Sequence, residues 1–390
     1  MAALTTIGAC AAALPGVVRA TWDLRWLSAL RRHRNGGPSA PRISGQPGCT
    51  LILCAHNDLA ALQANWPAWR GQRFPDHWQT EWLVVDDGST DGTGAWLEAQ
   101  SRQDERLTII RHSKVHPGKK DALSAGIRSA RFERLVLTDA DCRPEPGWAH
   151  AMARALGPDV AREGQQTDVV LGTCLPQGGA PLLHFDALRV ALQYAGEAAS
   201  GRPYMGVGRS MAYRKAAWEK VGGFQGHADL PSGDDDLFVQ DALKHGLNVE
   251  LAPAPGADEG TSTQPARDLA DGWNRKRRHL GTASRYATRD RMRLMADAAL
   301  DPMALLGAVG GATGLFHSAG WIPLAALGLT FVVRSITLSV FSGRWDRAGR
   351  AGLLYNLWGP MRWTMLASAT LVNAFTSSPK WTQRAPTSRS

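Results

Sequence analysis

The chain has 390 residues, 44% of them hydrophobic, and a formal net charge of +9. That length holds one large domain or two ordinary ones with a sizeable core. The basic balance suits nucleotide phosphates and anionic lipid headgroups. With no nucleic-acid motif and no basic repeat interleaved with aromatics, no nucleic acid polymer is expected as a partner. The five cysteines (Cys10, Cys49, Cys54, Cys142 and Cys174) are odd in number and form no CxxC pair. A disulfide framework or zinc cluster is therefore not expected, and small buried thiols in a reducing setting are.

Residues 1–18 are uncharged and rich in Ala and Gly, with Pro15 inside, and Arg19, Arg25, Arg31, Arg32 and Arg34 follow. A signal peptide carries its positive charge before the apolar run. This order predicts instead an N-terminal membrane anchor over 1–22, outer end first. The run is short for a span of ~20 residues, so a surface helix or a disordered end competes with that expectation. Residues 23–48 are expected to be a linker, its end rich in Gly, Pro and Ser (Arg34–Gly48).

Over 49–256, short apolar strands at Thr50–Cys54, Trp82–Asp86, Thr108–Arg111 and Arg134–Thr138 alternate with helical patterns around Ala95–Gln100 and Lys119–Ser129. A helix at Asp234–Lys244 and a strand at Asn248–Leu251 follow. The alternation predicts an α/β fold with a parallel sheet covered on both faces. Residues 257–295 read as amphipathic helices. Beyond 296 the runs Pro302–Phe316, Trp321–Phe341 and Gly352–Phe375 are apolar, predicting membrane helices over 296–376 before a polar tail at 377–390. Arg334 and Arg362 fall inside the second and third runs, where a cation faces protein or a polar cavity. Arg344, Arg347 and Arg350 place the turn between those runs in the cytoplasm. Three full spans would leave Lys380, Arg384 and Arg389 outside, so a re-entrant or interfacial run is the alternative.

Four motifs bear on chemistry. In Val84–Thr93 (VVDDGSTDGT) an apolar strand ends in acids and a Gly/Ser turn. Ligands of open α/β sheets sit at such carboxyl ends, where a carboxylate can meet a base or ribose and turn N–H groups an anion. Turn formation and helix capping explain one or two of these acids, less well the whole run. The earlier strand end Ala55-His56-Asn57-Asp58 lies beside it in the same cleft. The second motif is Asp139-Ala140-Asp141. Carboxylates two apart on an extended chain share a face, and two hard donors suit Mg2+ or Mn2+ bridging to a diphosphate. A lone acidic turn is the bland reading. The third is Asp234-Asp235-Asp236 opening a helix, either a dipole-favoured start or the home of a general base. The fourth is Trp273–His279 (WNRKRRH), where helical spacing groups Arg275, Arg278 and His279 on one face. Arg there can clamp phosphate, and a basic interfacial helix competes, above all for Lys276 and Arg277.

In this order the motifs resemble those of family-2 glycosyltransferases, over roughly residues 50–283, with an apolar tail like that of membrane-bound members. The resemblance implies a GT-A nucleotide-sugar-binding fold with a Rossmann-like mixed sheet and a C-terminal membrane-associated helical region, and an inverting, metal-dependent transfer. It implies that Ala55, His56, Asp58 and Asp87 meet the nucleotide and that Lys119, in the Gly-Lys step, lies near the donor. It implies that Asp139 and Asp141 form the metal motif, with Asp141 the more direct ligand. Gly206–Arg214 matches the segment shaping the acceptor side. Asp234 and Asp235 match the motif of the catalytic base, Asp235 preferred and the third acid leaving the register open by one. Arg275-x-x-Arg278-His279 matches a QxxRW motif with Arg for Gln and His for Trp, which puts processivity in doubt and keeps Arg278 as a phosphate ligand. The implied partners are a nucleotide-sugar donor, most simply a UDP-sugar, a lipid-linked or glycan acceptor, and the inner or plasma membrane, with the catalytic domain cytoplasmic. A nucleotidyltransferase would need a basic Gly-rich triphosphate loop after Cys54, which is absent. A non-catalytic scaffold would have little use for acids kept at all three sites.

Overall fold

The computed structural model describes residues 2–36, 46–115, 118–158, 166–178, 180–253, 259–263, 266, 268–342, 362, 364–373 and 376. In chain order the elements are α1 (Ala2–Gly36), β1 (Gly48–Ala55), α2 (Leu59–Arg70), β2 (Gln79–Asp87), α3 (Thr93–Ser101), β3 (Leu107–His112), α4 (Lys120–Ser129) and β4 (Arg134–Asp139). There follow β5 (Cys142–Pro144), α5 (Trp148–Ala155), β6 (Val169–Leu171), β7 (Cys174–Pro176), α6 (Pro181–Ala198), β8 (Met211–Arg214), α7 (Lys215–Lys220) and α8 (Asp236–Lys244). The chain closes with β9 (Val249–Leu251), β10 (Thr261–Thr263), α9 (Leu269–Ala283), α10 (Thr288–Ala312) and α11 (Trp321–Ser342). They fall into two compact units: residues 32–177 with 197–264, and residues 1–31 with 178–196 and 265–377.

The first unit is built on a seven-stranded sheet of order β3-β2-β1-β4-β8-β6-β9. Strands β1 to β4 are parallel, as their continuous apolar runs predict for strands buried on both faces. The sheet is mixed, as the GT-A resemblance implies: β8 runs antiparallel to both β4 and β6. Its short run, Met-Ala-Tyr-Arg, gives no hint of direction. Leu51, Leu53, Trp82, Val84 and Val136 fill the core with Trp66 and Trp69 of α2 and Trp148 of α5. The chain winds from β1 out to β3, then returns to add β4 on the other side of β1. That reversal opens a crevice at the carboxyl ends of β1 and β4, where open α/β sheets bind ligands. A small second sheet, β5-β10-β7, lies just beyond β4 in sequence and carries Thr263.

The second unit is helical. Among the described residues three helices, over Ala2–Asn35, Thr288–Ala312 and His317–Ser342, are long and apolar enough to cross a membrane. The first reaches further than the sequence pattern suggested: α1 continues through residues 23–36, read above as linker, because Trp26, Leu27 and Ala29 are buried on it. The third apolar run falls largely outside the described residues.

Among these helices lies a buried charge network. Arg19 pairs with Asp23 (2.8 Å) and with Asp297. Arg189 pairs with Asp297 (2.8 Å), and Arg334 with Asp23 (3.3 Å) and Asp301 (2.5 Å). The Arg19 and Arg189 guanidinium groups also lie over the Trp26 ring, 4.9 and 4.6 Å from its centre. Three cations thus meet three carboxylates, and Arg334 faces protein as its position inside an apolar run requires. Arg362 likewise binds Asp186 at 2.7 Å. Removing one partner strands buried charge, so Arg19→Ala is expected to cost roughly 3–5 kcal/mol. A thermal-unfolding midpoint of the detergent-solubilised variant equal to that of wild type would refute this.

Candidate active site

Two loops meet at the carboxyl ends of β1 and β2. Asn57 takes a left-handed conformation (φ 56°), which Asn tolerates better than most residues. Its N–H donates to the Ser89 hydroxyl (3.0 Å), while its side-chain oxygen accepts from the Thr90 N–H (2.7 Å). Asp91 accepts from the Leu59 N–H (3.1 Å) and from the Thr93 hydroxyl (2.6 Å), so it ties the two loops and caps α3. Asp58 accepts from the His56 N–H (3.1 Å), and His56 Nδ1 donates to the Asp87 carbonyl (2.7 Å). Part of the acidic run is therefore turn scaffolding, as capping chemistry alone predicts.

Asp87 is held from the end of β3. Its carboxylate pairs with His112 Nδ1 at 2.9 Å and with Lys114 Nζ, and the residue is almost fully buried. Neither His112 nor Lys114 was singled out from the sequence, where nothing marks them. Ala55, His56, Asp58, Asp87, Lys114, Lys119 and Asp139 line one cleft.

The Gly118-Lys119-Lys120 step divides three tasks. Gly118 adopts φ +98°, and a Cβ there would lie 2.2 Å from the Pro231 carbonyl oxygen, so only glycine fits. Lys120 donates to the His227 and Leu230 carbonyls (2.5 and 3.0 Å), fastening the loop that leads to the triple aspartate. Lys119 turns into the cleft, where its ammonium reaches Asp139 at 2.8 Å and Asp234 at 3.0 Å. Burial opposes that charge, but Asp139, Asp234 and Asp235 outweigh it and hold Lys119 protonated well above the ordinary lysine range.

The three aspartates part company. Asp234 is buried against Lys119. Asp236 is buried, and its carboxylate accepts from the Leu237 N–H (2.8 Å). Asp235 alone of the three is half-exposed. It caps α8, accepting from the Asp236 N–H (2.8 Å), and its other oxygen accepts from the Gly208 N–H (3.0 Å). Gly208 thereby joins the site; a Cβ there would crowd Lys119 Nζ at 3.0 Å.

Asp141 is buried beside the small sheet and accepts from the Thr263 hydroxyl (3.3 Å) and the Cys142 thiol (3.7 Å). Among the described residues no three His, Cys, Asp or Glu side chains cluster as a complete metal cage. Two carboxylates at a strand end still fit a hard cation whose shell is completed by phosphate oxygens and water, the usual manner of Mg2+.

Arg275, Arg278 and His279 lie on α9 in the helical unit. Arg275 pairs with Asp271 (2.9 Å). Lys276 and Arg277, for which a basic interfacial helix was the competing expectation above, bind inside their own unit. Lys276 meets Asp186 at 2.5 Å, and Arg277 meets Asn373 at 2.9 Å and Thr376 at 2.6 Å. Sequence spacing shows a helical face but not its partners, which are Asp186 of α6 and, far along the chain, Asn373 and Thr376.

His227, in the loop held by Lys120, is 4% exposed. Burial first and then Lys120 depress its pKa to about 4, against the opposing pull of Asp234 and Asp229, and Asp241 lies 3.5 Å away. A folded pKa below the unfolded one gives stability that is present above about pH 6.5 and lost as pH falls toward 4. Between pH 7 and 4.5 that loss is about 2 kcal/mol. His227→Gln is expected to flatten the fall of the unfolding midpoint over this window, and equal slopes for variant and wild type would count against it.

The chain matches the family model of glycosyl transferase family 2 over residues 50–166 and that of glycosyl transferase family group 2 over residues 137–376. It is 26% identical over 150 residues to the dolichol-phosphate mannosyltransferase of Mycosarcoma maydis, covering 37% of this chain and 48% of that protein. It is 26% identical over 148 residues to the undecaprenyl-phosphate mannosyltransferase of Micrococcus luteus, covering 37% and 55%. The matches span about half the length of both relatives. The solved structure of the mannosyltransferase PcManGT from Pyrobaculum calidifontis, in complex with GDP-Man and Mn2+, superposes with a TM-score of 0.56 at 21% identity, covering 96% of this chain and 99% of that one. That likeness carries the fold, which is of the GT-A type. With a family model matched over more than half its length, on a sheet whose switch point gathers the expected acids, this chain belongs to glycosyltransferase family 2.

Proposed function

We propose that the protein transfers a mannosyl group from a nucleotide-diphosphate donor to a lipid-borne acceptor at a membrane, with the catalytic unit on the cytoplasmic side. One observation carries the reading: Lys119 spans Asp139 and Asp234, while Asp235 stands half-exposed beside them on the Gly208 N–H. One carboxylate of the donor side, Asp139, and one of the acceptor side, Asp234, are thus joined through one cation.

Asp141 and Asp139 would hold Mg2+ or Mn2+, which when bound offsets the charge developing on the leaving diphosphate. Asp141 is taken as the more direct ligand, as the motif resemblance implies, while Asp139 is engaged by Lys119. The β1 and β2 loops, with Ala55, His56, Asp58 and the Asp87 group, receive the nucleoside. Arg275, Arg278 and His279 are kept as candidate phosphate ligands. Asp235 takes the proton from an acceptor hydroxyl as it attacks the anomeric carbon. The mannosyl assignment draws on the printed activities of the two relatives, and it replaces the UDP-sugar expected from the motifs with a GDP-mannose type of donor.

A second reading is favoured by the same names: both relatives are lipid-phosphate mannosyltransferases. A phosphate monoester has its second pKa near 6 and is largely ionised at neutral pH, so such a nucleophile has little need of a base. The test is a donor screen on membranes containing the protein, with GDP-mannose and UDP-sugars, Mg2+ or Mn2+, and an EDTA control, reading released nucleoside diphosphate. Metal-dependent release from GDP-mannose supports the proposal; no release from any donor sinks it.

A further inference from the structure

Arg209 lies in the turn that enters β8, within the segment matched above to the acceptor side. The β4–β8 register pairs Leu137 with Met211. Continued two residues past the end of that pairing, it sets Arg209 across from Asp139. The Thr138 hydroxyl donates to the Arg209 carbonyl (2.9 Å), pinning this backbone at the end of β4. One residue earlier, Gly208 contacts the other half of the site through Asp235. The turn therefore presents glycine to the acids of α8 and a guanidinium to the acids of β4.

The Arg209 guanidinium lies within electrostatic reach of Cys174, Cys142, Asp141 and Asp139. Charge balance for two carboxylates would be served by any cation. An arginine adds a planar fork of donors matched to phosphoryl oxygens, in a cleft whose acids are arranged to receive a metal and a phosphate ester.

We propose that Arg209 is a phosphate-binding residue, its guanidinium taking a phosphoryl oxyanion of either the donor diphosphate or a phosphate on the lipid acceptor. The inference rests on the transfer reading above and adds to it a binding residue that no motif assigned.

The test uses the full-length protein in detergent micelles, titrated calorimetrically with GDP in the presence of Mg2+, with guanosine, and with undecaprenyl phosphate. Arg209→Gln is expected to weaken one of the two phosphate ligands roughly 10- to 100-fold and to leave guanosine unchanged. Arg209→Lys keeps the charge but loses the fork and falls between. Weaker GDP binding identifies the donor diphosphate as the source, and weaker undecaprenyl phosphate binding the acceptor. Should Arg209→Gln fail to give a cooperative unfolding transition, Arg209→Lys decides alone, with a loss of at least threefold expected. The proposal is overturned if the folded variant binds both phosphates within twofold of wild type, or if wild type binds neither. If the donor screen shows no transfer while Arg209→Gln still loses phosphate binding, the transfer reading falls and this one stands.

Discussion

Replacing Asp235 by Asn is expected to lower kcat roughly 10²- to 10⁴-fold, the usual contribution of a positioned general base, with donor KM little changed. The argument is geometric. Of the three adjacent aspartates, Asp234 is committed to Lys119 and Asp236 is buried, which leaves Asp235 as the half-exposed one. Two backbone N–H groups, from Asp236 and Gly208, fix its carboxylate in place. Asn is nearly isosteric and keeps one of the two bonds through its single oxygen, so folding is expected to survive, as a thermal melt would check. The same substitution at Asp234 breaks an ion pair with Lys119 and is expected to disturb binding and stability as well as turnover. Near-wild-type kcat in Asp235→Asn would remove the base from this residue and shift the chemistry to an ionised lipid phosphate.

Asp141→Ala is expected to lower kcat/KM by a comparable roughly 10²- to 10⁴-fold, since charge stabilisation by a metal ion is worth several kcal/mol. The signature that separates a metal ligand from a structural acid is the response to metal. Wild type should gain donor binding as Mn2+ is titrated in, and the variant should show little gain, its GDP affinity lying near that of EDTA-treated wild type. Asp141 also accepts from the Thr263 hydroxyl and the Cys142 thiol. Asp141→Asn keeps an acceptor for one of them and controls for lost packing. A variant that binds GDP with full Mn2+ dependence would place the metal elsewhere.

Much of the catalytic unit was legible before any coordinates. The runs Leu51–Ala55 of β1 and Trp82–Val85 of β2 are apolar throughout because both faces of a parallel sheet are covered, and such runs can be read by eye. The Asp139-Ala140-Asp141 pair could be placed at a strand end because the apolar run before it stops there. The direction of β8 was not legible, since a four-residue strand carries no signal of its partner's orientation. Nor was the extent of α1: Arg25, Arg31 and Arg32 look like solvated linker, yet helix propensity and the burial of Trp26 and Leu27 carry the helix past them.

The sequence by itself determined the family and singled out the acids proposed for the site, because those depend on residue type and spacing along one strand or one helix start. Only the tertiary structure decided what each charge does. It paired Lys119 with Asp139 and Asp234, enclosed Asp87 between His112 and Lys114, and turned Lys276 and Arg277 inward to their own unit. It also separated Asp235 from its two neighbours and set Gly208 and Arg209 beside opposite halves of the site. Each of these joins residues far apart in the chain, and a long-range pairing is fixed by sheet topology and burial, which no local pattern encodes.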